Sequence, residues 1–292
     1  YEGQSIMEFW TADDCALCHV MDLDCENGLV LYSNESEMKF NPETSAWQMA
    51  VSTFLGLPGL RAFWPMSSVD YAAANRARDI SGQGYHLTDN NTPTFNFDGL
   101  APYVEFDGVN QYLSRIDGGA ANWADVTGTE TYIDAGVRGL TFGGWFYLDT
   151  AAGANKESLI TKGTLGAATS SYMLFIQQGS TEPRLFLSDG AATNIHGTGA
   201  SIGTLTWTFI VGKYIAAGPT SVVYINNIIN IDLVGIPAAP LNDSAIDFNI
   251  GALNSASNFL DGRASLCFLC AAALSDATIL AMYDQTRGLF GV

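Results

Sequence analysis

The sequence predicts a mainly β protein: an antiparallel β-sandwich preceded by a short acidic arm with a helix and closed by a C-terminal helix. Three observations carry this reading. From residue 60 onward, short runs rich in aromatic and β-branched residues are separated by Gly, Asn, Asp and Pro clusters. Charged residues are only 14% of the chain while glycines number 30, which suits strands and tight turns better than long charged helices. No helical pattern alternates with the strands, so the sheets are expected to be antiparallel and stacked face to face. The 292 residues, 48% of them hydrophobic, suffice for one large sandwich core plus a short accessory segment.

The first segment, residues 1–56, differs from the rest. Its ten carboxylates (Glu2, Glu8, Asp13, Asp14, Asp22, Asp24, Glu26, Glu35, Glu37, Glu43) against Lys39 alone make −9, half of the net −18. A helix is expected near 42–55. Asn41 is placed as N-cap, Pro42 at the first helical position and Glu43 at the positive end of the dipole. Trp47, Val51, Phe54 and Leu55 give one apolar face, and Gly56-Leu57-Pro58-Gly59 stops the helix. Two readings stand side by side: the helix packs on the sandwich, or the acidic arm docks onto a neighbour.

The sandwich is expected over 57–292, with strands at 61–66, 103–106, 111–115, 140–148, 158–162, 171–177, 184–188, 207–214, 221–226, 228–232, 247–251 and 264–269. Alternation along 140–148 puts Phe142, Phe146 and Leu148 on one face. Asn226-Asn227 reads as a two-residue hairpin turn, because Asn tolerates positive φ. Ser275-Asp276 opens a closing helix through Ile279, Leu280, Met282 and Tyr283, with Gly288 as its stop.

Composition also bears on function. A net charge of −18 repels phosphate backbones and anionic membranes, so neither nucleic-acid binding nor membrane insertion is expected. No apolar window reaches 18 residues, and Tyr1 to Ile6 carry no basic n-region or apolar h-region, so no signal peptide is expected there.

Five stretches resemble the laminin-G-like domains of the concanavalin A-like lectin–glucanase superfamily, over about residues 60 to 287. Asp79-Ile80-Ser81-Gly82-Gln83-Gly84-Tyr85-His86-Leu87-Thr88 is similar to the family's D-x-S-G-N-G loop. Tyr103-Val104-Glu105-Phe106-Asp107-Gly108-Val109-Asn110-Gln111-Tyr112-Leu113 is similar to its F-D-G turn. The runs at 140–148 and 207–211 resemble its Trp-containing strands. The stretch from Leu260-Asp261-Gly262-Arg263-Ala264-Ser265-Leu266 to Ala273-Leu274-Ser275-Asp276-Ala277 resembles its ending. The resemblance implies a jelly roll of the kind found in extracellular adhesion proteins, glycan-binding modules and phage virion proteins. Calcium is the cofactor it implies, with Asp79, Ser81, Gly82 and Asp107 as ligands by position; the expected Asp of the last strand is Ser265 here. The alternative for Asp79 is that its side chain caps a turn.

A glycan site combines loop aromatics with amide or carboxylate groups, which points to Tyr85, Trp123, Tyr132 and Asn254. The family's hydrolases use a Glu-x-Asp-x-x-Glu strand, absent here. Glu105 and Asp107 alternate correctly, but Asp107 lies in an Asp-Gly turn and reads as structural. His86 and His196 read as surface or turn residues, and no Gly-x-Ser-x-Gly elbow accompanies any histidine. Cys15-Ala16-Leu17-Cys18-His19 matches the c-type haem pentapeptide; Cys15, Cys18, His19 and Cys25 would alternatively make a zinc site or contain a disulfide. Cys267 and Cys270, on the last expected strand and just past it, are an odd number of residues apart and are expected as buried small hydrophobes.

The expected function is a non-catalytic structural or adhesion protein of a virion or extracellular surface, assembling with other subunits or copies of itself through the N-terminal arm. The alternatives are a soluble glycan-binding module and a glycoside hydrolase of concanavalin A-like fold.

Overall fold

A computed structural model describes residues 20–24, 28–33, 36–38, 45–67, 77–98, 101–116, 124, 138–166, 169–254 and 257–292. The chain is mainly β, with two antiparallel sheets stacked as a sandwich.

Within the acidic segment, β1 (Val20–Asp24), β2 (Gly28–Ser33) and β3 (Ser36–Met38) pair as a small antiparallel sheet that the carboxylate-rich sequence did not announce. Next comes α1 (Ser45–Leu55), then β4 (Leu60–Trp64), β5 (Thr88–Asn90), β6 (Thr94–Asp98), β7 (Ala101–Asp107) and β8 (Tyr112–Arg115). Then follow β9 (Gly139–Leu148), β10 (Glu157–Gly163), β11 (Ser170–Ile176), β12 (Pro183–Ser188) and β13 (Thr193–Gly197). The last strands are β14 (Trp207–Ile215), β15 (Thr220–Ile225), β16 (Ile228–Asp232), β17 (Phe248–Ile250) and β18 (Asp261–Cys270). Helix α2 (Asp276–Thr286) and a 3-10 turn at Arg287–Phe290 close the chain.

The seven-stranded sheet runs β13-β12-β11-β10-β17-β8-β5 and the eight-stranded sheet β16-β15-β14-β9-β18-β7-β6, with β4 as its eighth strand beside β18. Strands β5, β6 and β13, which sequence reading did not foresee, are all edge strands. Strands β5 and β13 are short and mostly polar, as natural edges are, which removes the alternation that marks interior strands; β6 does alternate, with Phe95 buried and Phe97 exposed.

The inner faces meet in one core. Phe142, Phe146 and Leu148 from β9 face Leu174, Ile176, Leu185 and Phe248 from the other sheet, all buried. At the β15–β16 turn, Ile225 pairs Ile228 and Asn226 takes φ 55°, the positive angle expected of it. The Asn226 side-chain oxygen also accepts the Phe209 backbone N–H at 2.9 Å.

A second core covers the outer face of the eight-stranded sheet. Ala50 and Phe54 of α1, Trp145, Phe209 and Phe268 of the sheet, and Ile279, Met282 and Phe290 of the C-terminal elements are all buried there. Phe54 stacks flat on Phe63 with centroids 4.5 Å apart. Helix α1 therefore packs on the sandwich, the first of the two readings. Leu55, expected on its apolar face, is instead 45% exposed: the helix turns Ala50 and Phe54 inward. The Asn41-Pro42-Glu43 start lies outside the described residues.

Helix α2 begins as expected. The Ser275 hydroxyl accepts the Thr278 backbone N–H at 3.1 Å. Asp276 in its first turn pairs with the Lys213 ammonium, a group buried on β14 that also donates to the Leu274 carbonyl at 3.3 Å. The Tyr224 hydroxyl donates to the same Asp276 oxygen at 2.5 Å. Donation from Lys213 and Tyr224, against a smaller opposing effect of burial, holds the Asp276 carboxyl below its ordinary range.

Strand β18 carries the sharpest irregularity. Between Ser265 and Phe268 it spends three residues against the two from Trp145 to Gly143, and Leu266 takes φ 46°. Along its other edge it pairs β7 before the bulge, over Asp261 to Ala264, and β4 after it, over Cys267 to Cys270. Cys267 faces the inner core and Cys270 the outer one, both fully buried, as their odd spacing implies. Burial pushes both thiols far up.

Candidate functional site

The Asp79 loop is organised around a carboxylate. Its Oδ1 accepts backbone N–H groups of Phe63 at 3.0 Å and Ser81 at 2.8 Å; its Oδ2 accepts the Tyr85 N–H at 2.8 Å and the Ser81 hydroxyl at 2.9 Å. Asp79 is buried, so these donors supply the solvation that water cannot. Gly82, at φ 89°, makes the bend. His86 Nδ1 accepts the Asp79 backbone N–H at 3.1 Å. Burial, with Arg78 and Arg115 nearby, holds that imidazole below its usual value against the pull of Asp79.

Asp107 has the same role in a second turn. Its Oδ1 accepts the N–H groups of Val109, Asn110 and Gln111 at 2.9, 3.1 and 3.2 Å. Burial alone would raise its carboxyl, but these amides outweigh burial and hold it below the ordinary range.

A calcium ion shared by Asp79, Ser81, Gly82 and Asp107 is incompatible with the register. Asp79 is bonded to Phe63, which pairs Phe268 on β18, whereas Asp107 pairs Asp261. Residues 261 and 268 are separated along the strand by roughly 20 Å at the usual rise per residue. Among the described residues no group of three His, Cys, Asp or Glu side chains is placed to hold a metal ion. Cys15, Cys18, His19 and Cys25, the haem, zinc or disulfide candidates, lie outside the described residues, as do Trp123 and Tyr132.

Of the other two glycan candidates, Tyr85 is half-buried against the core, with the Arg115 guanidinium 5.3 Å from its ring centroid. Its carbonyl accepts the Trp64 indole N–H at 2.8 Å. Asn254 is exposed, at φ 49°, in the turn after Leu253. Leu253 helps line a shallow surface dip on the outer face of the seven-stranded sheet, floored by Met173 and Phe175 and edged by Lys156 and Asn258. The structure does not bring Tyr85 and Asn254 together.

His196 corrects an expectation. It sits on edge strand β13 but is buried, and its Nδ1 lies 3.1 Å from the Ser221 hydroxyl. Burial lowers its pKa against the charges of Asp232 and Glu182. Ser221 is fully buried, so this contact ties the two sheets together at their edge rather than facing a ligand.

The arrangement with the chemistry of a binding surface was not read from the sequence. One row across the outer face of the eight-stranded sheet sets Trp207, Tyr147, Arg263 and Glu105 side by side on β14, β9, β18 and β7. The Arg263 guanidinium lies 4.5 Å from the Tyr147 ring centroid and 5.0 Å from that of Tyr103. Its Nε donates to Glu105 Oε1 at 3.3 Å, and its terminal nitrogen stands 4.0 Å from Asp149. Trp207 backs the tyrosines, 5.5 Å from Tyr147 and 5.9 Å from Tyr103. Arg263, Glu105 and Asp149 keep 21%, 36% and 28% of their side chains exposed, so the row reaches solvent. Each residue lies in a stretch whose fold role was recognised. What revealed the row was register, although an arginine at an outward position of an otherwise apolar central strand was its one sequence signal.

The next row along the same strands is acidic. Asp107 pairs Asp261, whose carbonyl accepts the Asp149 N–H at 3.0 Å and whose carboxylate accepts the Thr150 hydroxyl at 2.7 Å. Burial raises the Asp149 carboxyl; Arg263 opposes this and the charges of Glu105 and Asp261 add to it. Behind them, from the opposite sheet, buried Glu157 accepts the Asp261 backbone N–H, while its Oε2 has no hydrogen-bond partner. Burial pushes this carboxyl up to about 7, against the Asp261 N–H, with the charges of Asp261 and Asp149 adding to the rise.

No helix among the described residues is long and apolar enough to cross a membrane. No protein-family model and no curated protein matches the chain. Solved structures do. The receptor-binding domain of botulinum neurotoxin type G aligns over 77% of this chain and 51% of its own, at TM-score 0.52 and 12% identity. Domain 4 of AbnA, a GH43 extracellular arabinanase from Geobacillus stearothermophilus, solved with arabinotriose, aligns over 77% of this chain and 98% of its own, at TM-score 0.54 and 14% identity. A Trypanosoma rangeli sialidase in complex with sialic acid aligns over 98% of this chain and 45% of its own, at TM-score 0.57 and 11% identity. The chain thus spans about half of the neurotoxin domain and of the sialidase, and what it shares with all three is a β-sandwich fold.

Proposed function

We propose that the chain is a glycan-binding β-sandwich of the laminin-G/concanavalin A-like kind, acting without catalysis as an adhesion module at an extracellular or virion surface. The row built on Arg263 carries this reading. A sugar offers an apolar C–H face and a rim of hydroxyls, and this row offers the exposed part of Tyr147 beside fixed acceptors and the guanidinium that lies over its ring. The structural neighbours include a domain solved with arabinotriose and a sialidase solved with sialic acid, which supports the same direction. The non-catalytic part rests on Asp107, one carboxylate oxygen of which accepts three turn amides, and on Glu105, tied to Arg263.

The test is binding of the purified chain to an array of defined glycans, repeated with Tyr147→Ala and Arg263→Ala. Each substitution should weaken binding by about tenfold. Failure to bind any glycan would remove the proposal, and shortening of a bound glycan would remove its non-catalytic part.

One observation favours a structural, self-assembling role instead. Edge strands β13 and β16 expose Ile195, Ile228 and Ile231 at 46%, 56% and 60%, with Leu233 and Val234 just beyond. Light scattering separates the two: a defined oligomer that ignores every glycan supports assembly, and a sugar-binding monomer excludes it.

A further inference from the structure

We infer that the sugar taken at the Arg263 row is uncharged, an inference that rests on the glycan-binding reading above. The two rows form a small grid on the outer face of β7, β18 and β9. It holds one guanidinium, Arg263, and four carboxylates: Glu105, Asp107, Asp149 and Asp261. An arginine beside aromatic rings would by itself suit the carboxylate of an acidic sugar. Here that charge is already answered. Glu105 holds it at 3.3 Å and Asp149 stands 4.0 Å away, so an incoming anion would compete with two fixed carboxylates and face the Asp107–Asp261 pair behind them. The whole chain, at −18, adds a field of the same sign.

An uncharged sugar meets no such opposition. Its hydroxyls donate to the exposed oxygens of Glu105 and Asp149, which only accept, while Arg263 donates to a hydroxyl or ring oxygen. Its C–H face meets the part of Tyr147 that the Arg263 guanidinium and Trp207 leave exposed. The ion pair with Arg263 and the cross-strand register hold these groups in place before any ligand arrives.

The experiment uses matched pairs of glycans, each neutral oligosaccharide beside the same oligosaccharide capped with sialic acid or bearing sulfate. Affinities are measured by calorimetry on the full chain at low and physiological salt. The neutral member should bind, with little dependence on salt, and its anionic counterpart should bind at least about tenfold more weakly. Glu105→Gln, a conservative change at a part-exposed position, should narrow the gap between the members of a pair. Equal or tighter binding of the anionic member overturns this inference and leaves the glycan-binding reading standing. Silence toward both members overturns the two together. Discrimination that Glu105→Gln leaves untouched places the selection elsewhere and also overturns it.

Discussion

The indole N–H of Trp145 donates to the hydroxyl of Thr286 at 2.9 Å, joining the middle of the eight-stranded sheet to the last residue of the C-terminal helix. The same indole stacks on Phe290 at 4.3 Å, and the Thr286 hydroxyl donates a hydrogen bond to the Met282 carbonyl at 2.6 Å. A single polar contact thus sits inside an aromatic cluster where no water can replace it. Thr286→Val keeps the volume but strands a buried N–H, and should cost about 1–3 kcal/mol of unfolding free energy in urea titrations. Thr286→Ser should cost less.

Gly144 is irreplaceable for a reason the bulge supplies. A Cβ at this position would stand 2.9 Å from the Ser265 carbonyl oxygen and 3.0 Å from both Cα and Sγ of Cys267. Two of these atoms belong to the backbone and cannot rotate away. Gly144→Ala should destabilise the fold by about 1–3 kcal/mol, seen as a lower melting temperature. Gly153→Ala, where nothing lies within 4 Å of an added Cβ, should change stability far less.

Glu157 makes stability depend on pH near neutrality. Its folded carboxyl holds a proton up to about 7, while the unfolded one releases it near the ordinary 4.5. Between these values the folded state binds more protons, so stability falls as pH rises through this window. Glu157→Gln removes the titration and should flatten the slope. The variant should gain on the parent protein at pH 8 relative to pH 5, a difference that denaturant midpoints at the two values will show.

Asp276 works with the opposite sign. Its folded carboxyl lies below the usual range, so its contribution is complete above the ordinary value near 3.8 and is lost as pH falls through the depressed folded one. Asp276→Asn leaves the buried Lys213 ammonium without its counter-charge, whereas Lys213→Met removes the charge itself. At pH 7 the asparagine variant should therefore melt at a lower temperature than the methionine variant.

Much of the fold was legible because interior strands alternate. The runs around Phe142, Phe146 and Leu148, and around Trp207 and Phe209, name their own faces. The C-terminal helix was legible through Ser275, whose cap chemistry works at short range. Edge strands such as Thr193–Gly197 were not, because exposure leaves them no apolar period, and His196 was misplaced with its strand. The row built on Arg263 was illegible for a different reason. Glu105, Tyr147 and Arg263 lie far apart in the chain, and only cross-strand register makes them neighbours. Asp79 was legible as a loop organiser but not as distant from Asp107, since that separation depends on which strands border β18.

The irregularity at Leu266 divides one long strand into two stretches with separate neighbours on one edge. Ahead of it lie Asp261 and Arg263, which look outward to solvent; beyond it lie Phe268 and Cys270, sealed beneath the helices. An engineer could therefore vary the first stretch and its partners Glu105 and Tyr147, which reach solvent, while leaving the helix-bearing stretch untouched. The fold sets its solvent-facing chemistry apart from its buried support, and it does so within a single strand.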